Sequence, residues 1–338
     1  MEKYGKGAIE LSIFFYALRD FDELPCAEKA SREMNVRFGW SAAYPEPANY
    51  ELAKGFEGIS CTPCDMSAPV LEAFHDLGVR YILCRSIGYD HVDREAAKRL
   101  GMRVGYVSYP PSGVANYAIM LMLMACRKWP VIQKKAEAQN YTLNGKLGLD
   151  LSMRTVGVIG TGKIGATVIR ALHGFGCKIL AYDPYPNPAV AEMAEYVSLE
   201  RLYAEAEVIT LHANVTEENY HLLDDKAFAA MRQNVVIVNT SRGKLIDHAA
   251  LIRALESGKV WGAGLDVLEN ENGLYYYDRT GDDIANPEMA LLRSFPNVIM
   301  SPHTAFYTTD AVEYMVRGCF ENYAAFAGGG EPPHEVQL

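Results

Sequence analysis

Three polar groups carry the chemistry this chain could do, and each follows an apolar, strand-like run. Val235–Asn239 leads into Thr240-Ser241-Arg242-Gly243, Gly262–Asp266 into Val267-Leu-Glu269-Asn-Glu271, and Asn297–Met300 into Ser301-Pro-His303. Ligands of parallel sheets gather beyond the carboxyl ends of the strands, so Arg242 is expected to face one. Its planar fork suits a carboxylate through two charge-assisted bonds. His303 titrates near neutral pH and could move a proton, and a neighbouring carboxylate would favour its charged form. Taken singly, each has an ordinary alternative: a surface ion pair for Arg242, a solvated acidic loop, and a structural histidine. Together they supply the anchor, proton donor and acidic partner that reduction of a 2-keto acid by hydride requires.

A hydride source is legible upstream. The run Thr155-Val-Gly-Val-Ile-Gly160-Thr-Gly162-Lys163-Ile164-Gly165 is a strand entering G-x-G-x-x-G, with helix-forming sequence after it. The first glycine permits a tight turn, the second lets a pyrophosphate approach the backbone, and the third lets helix pack on strand. The helix N-terminus then offers unpaired N–H groups and a positive dipole end. A second strand, Lys178–Tyr182, ends in Asp183, eighteen residues past Gly165. A carboxylate there accepts from both ribose hydroxyls and repels a 2′-phosphate, so NAD is the expected cofactor.

These groups need a frame. A chain of 338 residues suggests about two domains. Apolar strand-length runs alternate with helical segments throughout, which indicates parallel α/β architecture. Strands are expected near Leu11–Tyr16, Val36–Phe38, Gly58–Cys61, Tyr81–Cys84 and Arg103–Tyr106, and after the glycines near Lys178–Tyr182, Val208–His212, Val235–Asn239, Gly262–Asp266 and Asn297–Met300. Helical spacing marks Ser67–Leu77, Val92–Leu100 and the apolar Ser112–Arg127. Two strand–helix series imply two α/β domains with a cleft between them, the usual place for a substrate. A helix apolar on nearly all faces belongs in a core or between subunits.

Composition narrows the partners. Hydrophobic content of 49% with 22% charged residues describes an ordinary soluble protein. A net charge of −10 argues against nucleic acid or an anionic membrane as the main partner. No secretory signal precedes Leu11–Leu18, and Val114–Cys126 is far too short to span a bilayer. Seven cysteines without a regular framework fit a reducing cytoplasm. Cys61-Thr-Pro-Cys64 has no second ligand pair for zinc and follows a strand, so ordinary thiols are expected. The eight histidines show no paired ligand spacing, and no metal is implied.

The chain resembles the D-2-hydroxyacid dehydrogenase family over nearly its whole length. The resemblance rests on Arg85-Ser-Ile-Gly88-Tyr-Asp-His-Val-Asp93, the glycine motif, Asn239–Gly243, Asp266–Glu271 and Pro302–Thr309, in family order and spacing. It implies that Arg242 is the substrate arginine, His303 the acid/base, and Glu271 its carboxylate partner. Glu271 lies twenty-nine residues after Arg242 and thirty-two before His303, as in the family, which leaves Glu269 as a loop neighbour. It also implies a cofactor surface of Gly160, Gly162, Lys163, Ile164, Gly165, Asp183, His212, Ala213, Asn214, Thr240, Ser241 and Asp266, the last on the nicotinamide carboxamide. For the substrate it implies the backbone of Ile87 and Gly88, with Tyr109, Phe306 and Thr62 lining the pocket. The implied fold is two Rossmann/flavodoxin-like, doubly wound parallel sheets: residues 1–108 with 304–338 bind substrate, and 109–303 form an inserted NAD domain. The helix after Ser112 would join a homodimer, and hinge closing would exclude water.

Within the family, Tyr275–Asp283 and His303–Thr309 are similar to the D-lactate and D-2-hydroxyisocaproate dehydrogenase branch. Arg85–Gly88 and Gly174–Lys178 resemble the vancomycin-resistance D-lactate dehydrogenases. Two positions depart from the pattern. Leu211-His-Ala-Asn214 lacks the usual proline beside the adenosine, and Asn116 stands where an acid is common. Thr62 aligns with a bulky tyrosine of some D-lactate enzymes, which implies a roomier pocket for a branched or aromatic 2-keto acid. Two other readings stay open: a non-catalytic NAD-sensing co-repressor on the same fold, and formate oxidation, whose enzymes lack a glutamate at the Glu271 position.

Overall fold

The computed structural model describes residues 11–271 and 273–338. Its first elements are β1 (Ser12–Phe15), α1 (Glu23–Met34), β2 (Arg37–Trp40), β3 (Gly58–Cys61), α2 (Ala68–Asp76), β4 (Tyr81–Cys84), α3 (Arg94–Arg99) and β5 (Arg103–Tyr106). There follow α4 (Ser112–Cys126), α5 (Trp129–Glu137), β6 (Thr155–Ile159), α6 (Lys163–Phe175), β7 (Lys178–Tyr182), β8 (Glu195–Tyr196), α7 (Leu199–Glu205), β9 (Val208–Leu211), α8 (Asp225–Ala230) and β10 (Val235–Asn239). The chain ends with α9 (His248–Glu256), β11 (Val260–Leu265), α10 (Pro287–Ser294), β12 (Val298–Met300) and α11 (Thr309–Ala327). Two compact units result, one from Met1–Pro110 with Tyr307–Leu338, the other from Pro111–Phe306.

The first unit carries a five-stranded sheet in the order β2-β1-β3-β4-β5, every pair parallel. β1 and β3 are buried along their whole length, as strands covered on both faces must be. Tyr16, Ile59, Phe74 and Ile82 fill one side. On β1, Phe15 meets Phe320 of α11 with ring centroids 5.2 Å apart, which ties the C-terminal helix to the N-terminal sheet.

The second unit carries seven parallel strands in the order β12-β11-β10-β9-β6-β7-β8. The order reverses at β6, so the loops after β6 and β9 open the crevice where a parallel sheet receives its ligand. Both faces hold apolar clusters, one around Leu202, Phe228 and Leu251, the other around Met122, Val158 and Ile169. Eight residues of α4 are buried, and it packs on α6, β10 and β11. Those eight residues account for much of its apolarity inside its own unit, while Met120 on the same helix is 40% exposed.

The expected strands form where apolar runs placed them. α5 and β8 were not foreseen: α5 buries no residue, and β8 has only two. Cys61 closes β3, and all seven cysteines are free. Hydrogen bonding with Cys64 and burial push the Cys61 thiol well above its usual range, which leaves it unreactive. Among the described residues no helix is long and apolar enough to cross a membrane.

Candidate active site

The glycine motif is built as its spacing requires. Gly160 has φ +92°, and a Cβ there would lie 2.6 Å from the His212 carbonyl, so the turn after β6 admits no side chain. A Cβ on Gly165 would lie 1.9 Å from the Gly160 oxygen, which forces glycine where α6 meets the strand. At Gly162 a Cβ would meet nothing within 4 Å. That open space lies at the start of α6, whose first N–H groups have no partner within the helix. The cradle thus fits a pyrophosphate against Gly162, Lys163 and Ile164.

Asp183 stands just past β7 beside this turn. Its Oδ2 accepts from the Thr161 N–H at 2.7 Å and the Thr161 hydroxyl at 3.2 Å; its Oδ1 accepts from the Tyr185 N–H at 2.9 Å. These bonds fix the carboxylate at the rim of the glycine turn, with acceptor capacity remaining on both oxygens. From the turn after β10, the Ser241 hydroxyl donates to the carbonyl of Ala213 in the loop after β9 at 2.5 Å, joining two of the expected cofactor segments. The proline missing at 214 is compensated: Asn219 donates to the Asn214 carbonyl (2.7 Å) and accepts from the Thr216 N–H (2.7 Å). His212 contacts the Thr210 hydroxyl at 2.9 Å, and burial pushes its imidazole down to about 3, so it is neutral.

Past β10, the chain turns sharply to present Arg242. Asn239, fully buried, accepts from the Ser241 N–H at 3.0 Å and donates to the Arg242 carbonyl at 2.8 Å. One side chain thereby closes the turn. A Cβ on the next residue, Gly243, would lie 1.9 Å from the Leu268 carbonyl carbon and 2.2 Å from the Glu269 nitrogen. The backbone after Arg242 therefore runs directly against the loop that bears Glu271.

In that loop the two glutamates separate. Glu271 Oε1 meets His303 Nδ1 at 2.6 Å, and Oε2 accepts from the Leu268 N–H at 2.8 Å. Glu269 instead meets His221 Nε2 and accepts from the Tyr220 hydroxyl, each at 2.8 Å. Burial opposes its ionisation, but those two hydrogen bonds outweigh it and hold the Glu269 carboxyl below its ordinary range. With a carboxylate on Nδ1, that nitrogen carries the proton, and Nε2 is left to exchange one with a reactant.

His303 itself has φ +53°, a conformation that costs energy in a non-glycine residue and must be imposed by its surroundings. Asp266 imposes it. Its backbone carbonyl accepts from the His303 N–H at 2.7 Å, and its carboxylate from the Ser301 hydroxyl (2.6 Å), the Thr304 N–H (2.9 Å) and the Ala305 N–H (2.8 Å). Tyr276 adds a further hold, donating its hydroxyl to the His303 carbonyl at 2.9 Å, and its ring and that of Phe306 flank the imidazole at 6.1 and 6.3 Å. The roles of Asn239, Gly243 and Ser301 escaped the sequence reading although the residues stood inside or beside its motifs. Tyr276 lies inside the Tyr275–Asp283 segment, but nothing in that segment's sequence pointed to a contact with His303.

The remaining expected substrate residues, Thr62, Ile87, Gly88 and Tyr109, belong to the first unit. Ser86 turns its hydroxyl onto the Gly88 carbonyl at 2.6 Å, and the N–H groups of Ile87 and Gly88 find no acceptor among the described residues. Thr62 is buried, with its hydroxyl unpartnered.

Residues 119–305 match the NAD binding domain of the D-isomer specific 2-hydroxyacid dehydrogenases. The chain belongs to the D-isomer specific 2-hydroxyacid dehydrogenase family. An aromatic 2-oxoacid reductase of Clostridium sporogenes is 41% identical over 283 residues, 83% of this chain and 86% of that protein. A D-lactate dehydrogenase of Escherichia coli K12 is 37% identical over 333 residues, 96% of this chain and all of that protein. The solved structure of a D-2-hydroxyisocaproate dehydrogenase superposes with a TM-score of 0.87 at 33% identity, covering 96% of this chain and 99% of that one. As a family member the chain is an NAD-dependent oxidoreductase, and its second unit contains the NAD-binding domain.

Proposed function

We propose that the protein reduces a 2-oxo acid to the (R)-2-hydroxy acid, with Arg242, Glu271 and His303 as its reaction centre. The observation that carries this reading is the 2.6 Å contact between Glu271 and His303 Nδ1, in the unit that binds NAD. Bound NADH supplies the hydride to the substrate carbonyl carbon. Arg242 holds the carboxylate and polarises the carbonyl. His303 gives its Nε2 proton to the carbonyl oxygen as charge develops there, and Glu271 orients the imidazole through Nδ1. Asp183 selects NAD by accepting from the ribose, Gly160, Gly162, Lys163, Ile164 and Gly165 hold the pyrophosphate, and Asp266 meets the carboxamide. His212, Ala213, Asn214, Thr240 and Ser241 complete that surface.

In the first unit, residues 1–108 with 304–338 on our reading, Ile87 and Gly88 offer their N–H groups to the substrate carboxylate. Thr62 is small where some D-lactate enzymes carry tyrosine, and Phe306 brings an aromatic ring to His303. With Tyr109 these favour a branched or aromatic 2-oxo acid over pyruvate, in line with the name of the Clostridium sporogenes relative. The free thiols fit a cytoplasmic location. Tyr141, Leu143, Leu147 and Met153 are 74–87% exposed, apolar surface that a second copy of the chain would cover in a homodimer.

The test is NADH and NADPH oxidation with a series from pyruvate through 2-oxoisocaproate to phenylpyruvate, with the product's chirality determined. Turnover to the (R)-product with the larger acids preferred is expected. A strong pyruvate preference would sink the substrate assignment, and NADH binding without any turnover would favour the sensor role.

A further inference from the structure

Arg85 and Glu23 form a charged pair with no solvent-exposed surface on either side chain. Arg85 has the largest of the fully buried side chains. Burying both charges is costly, and an apolar pair of similar volume is often as stable or more so. The pair's contacts indicate another use for it.

Arg85 is the residue immediately after β4. From there its guanidinium reaches across β3 to the end of β1. Nε donates to Glu23 Oε1 at 2.8 Å, Nη1 to the Ser60 hydroxyl on β3 at 3.0 Å, and Nη2 to the carbonyls of Tyr16 (3.1 Å) and Ala17 (2.8 Å) past β1. Its own N–H donates to the Cys61 carbonyl at 2.7 Å. Glu23, the first residue of α1, accepts from the Arg19 N–H at 2.9 Å. Ala17 has φ +49°, a left-handed conformation that alanine adopts only where it is held. One side chain therefore fixes the carboxyl ends of three adjacent strands and a strained turn. The segment that begins at the next residue is Ser86-Ile87-Gly88, with its two unpaired N–H groups.

We propose that Arg85 and Glu23 are positioning residues for the Ile87–Gly88 backbone, acting on substrate through that loop and not by touching it. This rests on the reading that those N–H groups hold the substrate carboxylate. A ring of fixed contacts around Arg85 leaves residue 86 a single way to leave the strand, so the two amides keep one orientation. Loosening the ring costs carboxylate affinity, and because every 2-oxo acid shares the carboxylate, the cost is the same for small and large substrates.

The test compares wild type with Glu23→Gln, Ser60→Ala and the apolar double variant Arg85→Met/Glu23→Leu, after thermal melts establish which are folded. Glu23→Gln keeps volume and an oxygen for Nε, and Ser60→Ala removes one bond, so both provide folded proteins. The expected result is a KM for both pyruvate and phenylpyruvate raised about tenfold in the double variant and two- to fivefold in the single ones. The dissociation constant for NADH should not change. KM values within twofold of wild type in the folded variants would overturn the proposal, as would a rise confined to one substrate. Absence of turnover in wild type would instead overturn the functional reading on which it rests.

Discussion

Two arginines follow sheet strands in this molecule, one in each unit, and they are put to opposite uses. Arg85 leaves β4 and turns inward, where Glu23, Ser60 and two carbonyls surround it. Arg242 leaves β10 through a turn closed by the buried Asn239, stays half-buried, and donates from Nη1 to the Ser241 carbonyl of that same turn. A cation after an apolar strand is thus not by itself a ligand site. Arg85 is enclosed with the buried Glu23 carboxylate, whereas the turn that bears Arg242 is closed by the neutral side chain of Asn239.

The comparison breaks if the two arginines respond alike. Arg242→Met should lower kcat/KM for 2-oxo acids by about 10²–10³-fold, the worth of two charge-assisted bonds, while stability stays within about 1 kcal/mol. Arg85→Met alone should act mainly on stability, with KM for 2-oxo acids raised only about tenfold. It leaves the buried Glu23 carboxylate with Arg19 alone, whose guanidinium lies 3.3 Å away and whose N–H donates at 2.9 Å, and costs about 3 kcal/mol in chemical denaturation, larger than the loss in the double variant. An Arg242 variant that melts early but turns over normally would reverse the assignment. A smaller effect sharpens the cofactor end: Asp183→Ser should narrow the NADH-over-NADPH preference by about tenfold, since one charge repulsion of about 1.4 kcal/mol is removed. An unaltered ratio would place selection elsewhere.

The smallest effect separates the units by pH. Burial depresses His212, to about 3, and also His248, both in the second unit. A histidine whose folded pKa lies below its unfolded value binds its proton only after unfolding. Stability is therefore full above the unfolded value near 6.5 and is lost as pH falls from there toward 3. Between pH 6.5 and 5, His212 should cost the second unit roughly 1–2 kcal/mol. Hydrogen exchange at pH 7 and 5 should show that unit loosening more than in His212→Asn. Equal loosening in both proteins would contradict the burial of His212.

Most of the frame was legible because strands buried along their length, such as β9 and β10, must be largely apolar. The glycine motif was legible because Gly160 and Gly165 are demanded by backbone contacts that admit no Cβ. What stayed hidden depended on partners distant in sequence. Nothing local to Arg85 announces Glu23, sixty-two residues away, and Tyr276 reaches His303 only because an irregular loop returns to it. The apolar α4 was legible as a buried helix, but its uniform apolarity does not tell core from subunit contact.

The central claim is that His303, held by Glu271, moves the proton during reduction. Its most direct test is single-turnover NADH oxidation by His303→Ala, alongside the NADH dissociation constant. The account predicts a rate about 10²–10⁴-fold below wild type with NADH affinity unchanged. A wild-type rate in that variant would contradict it.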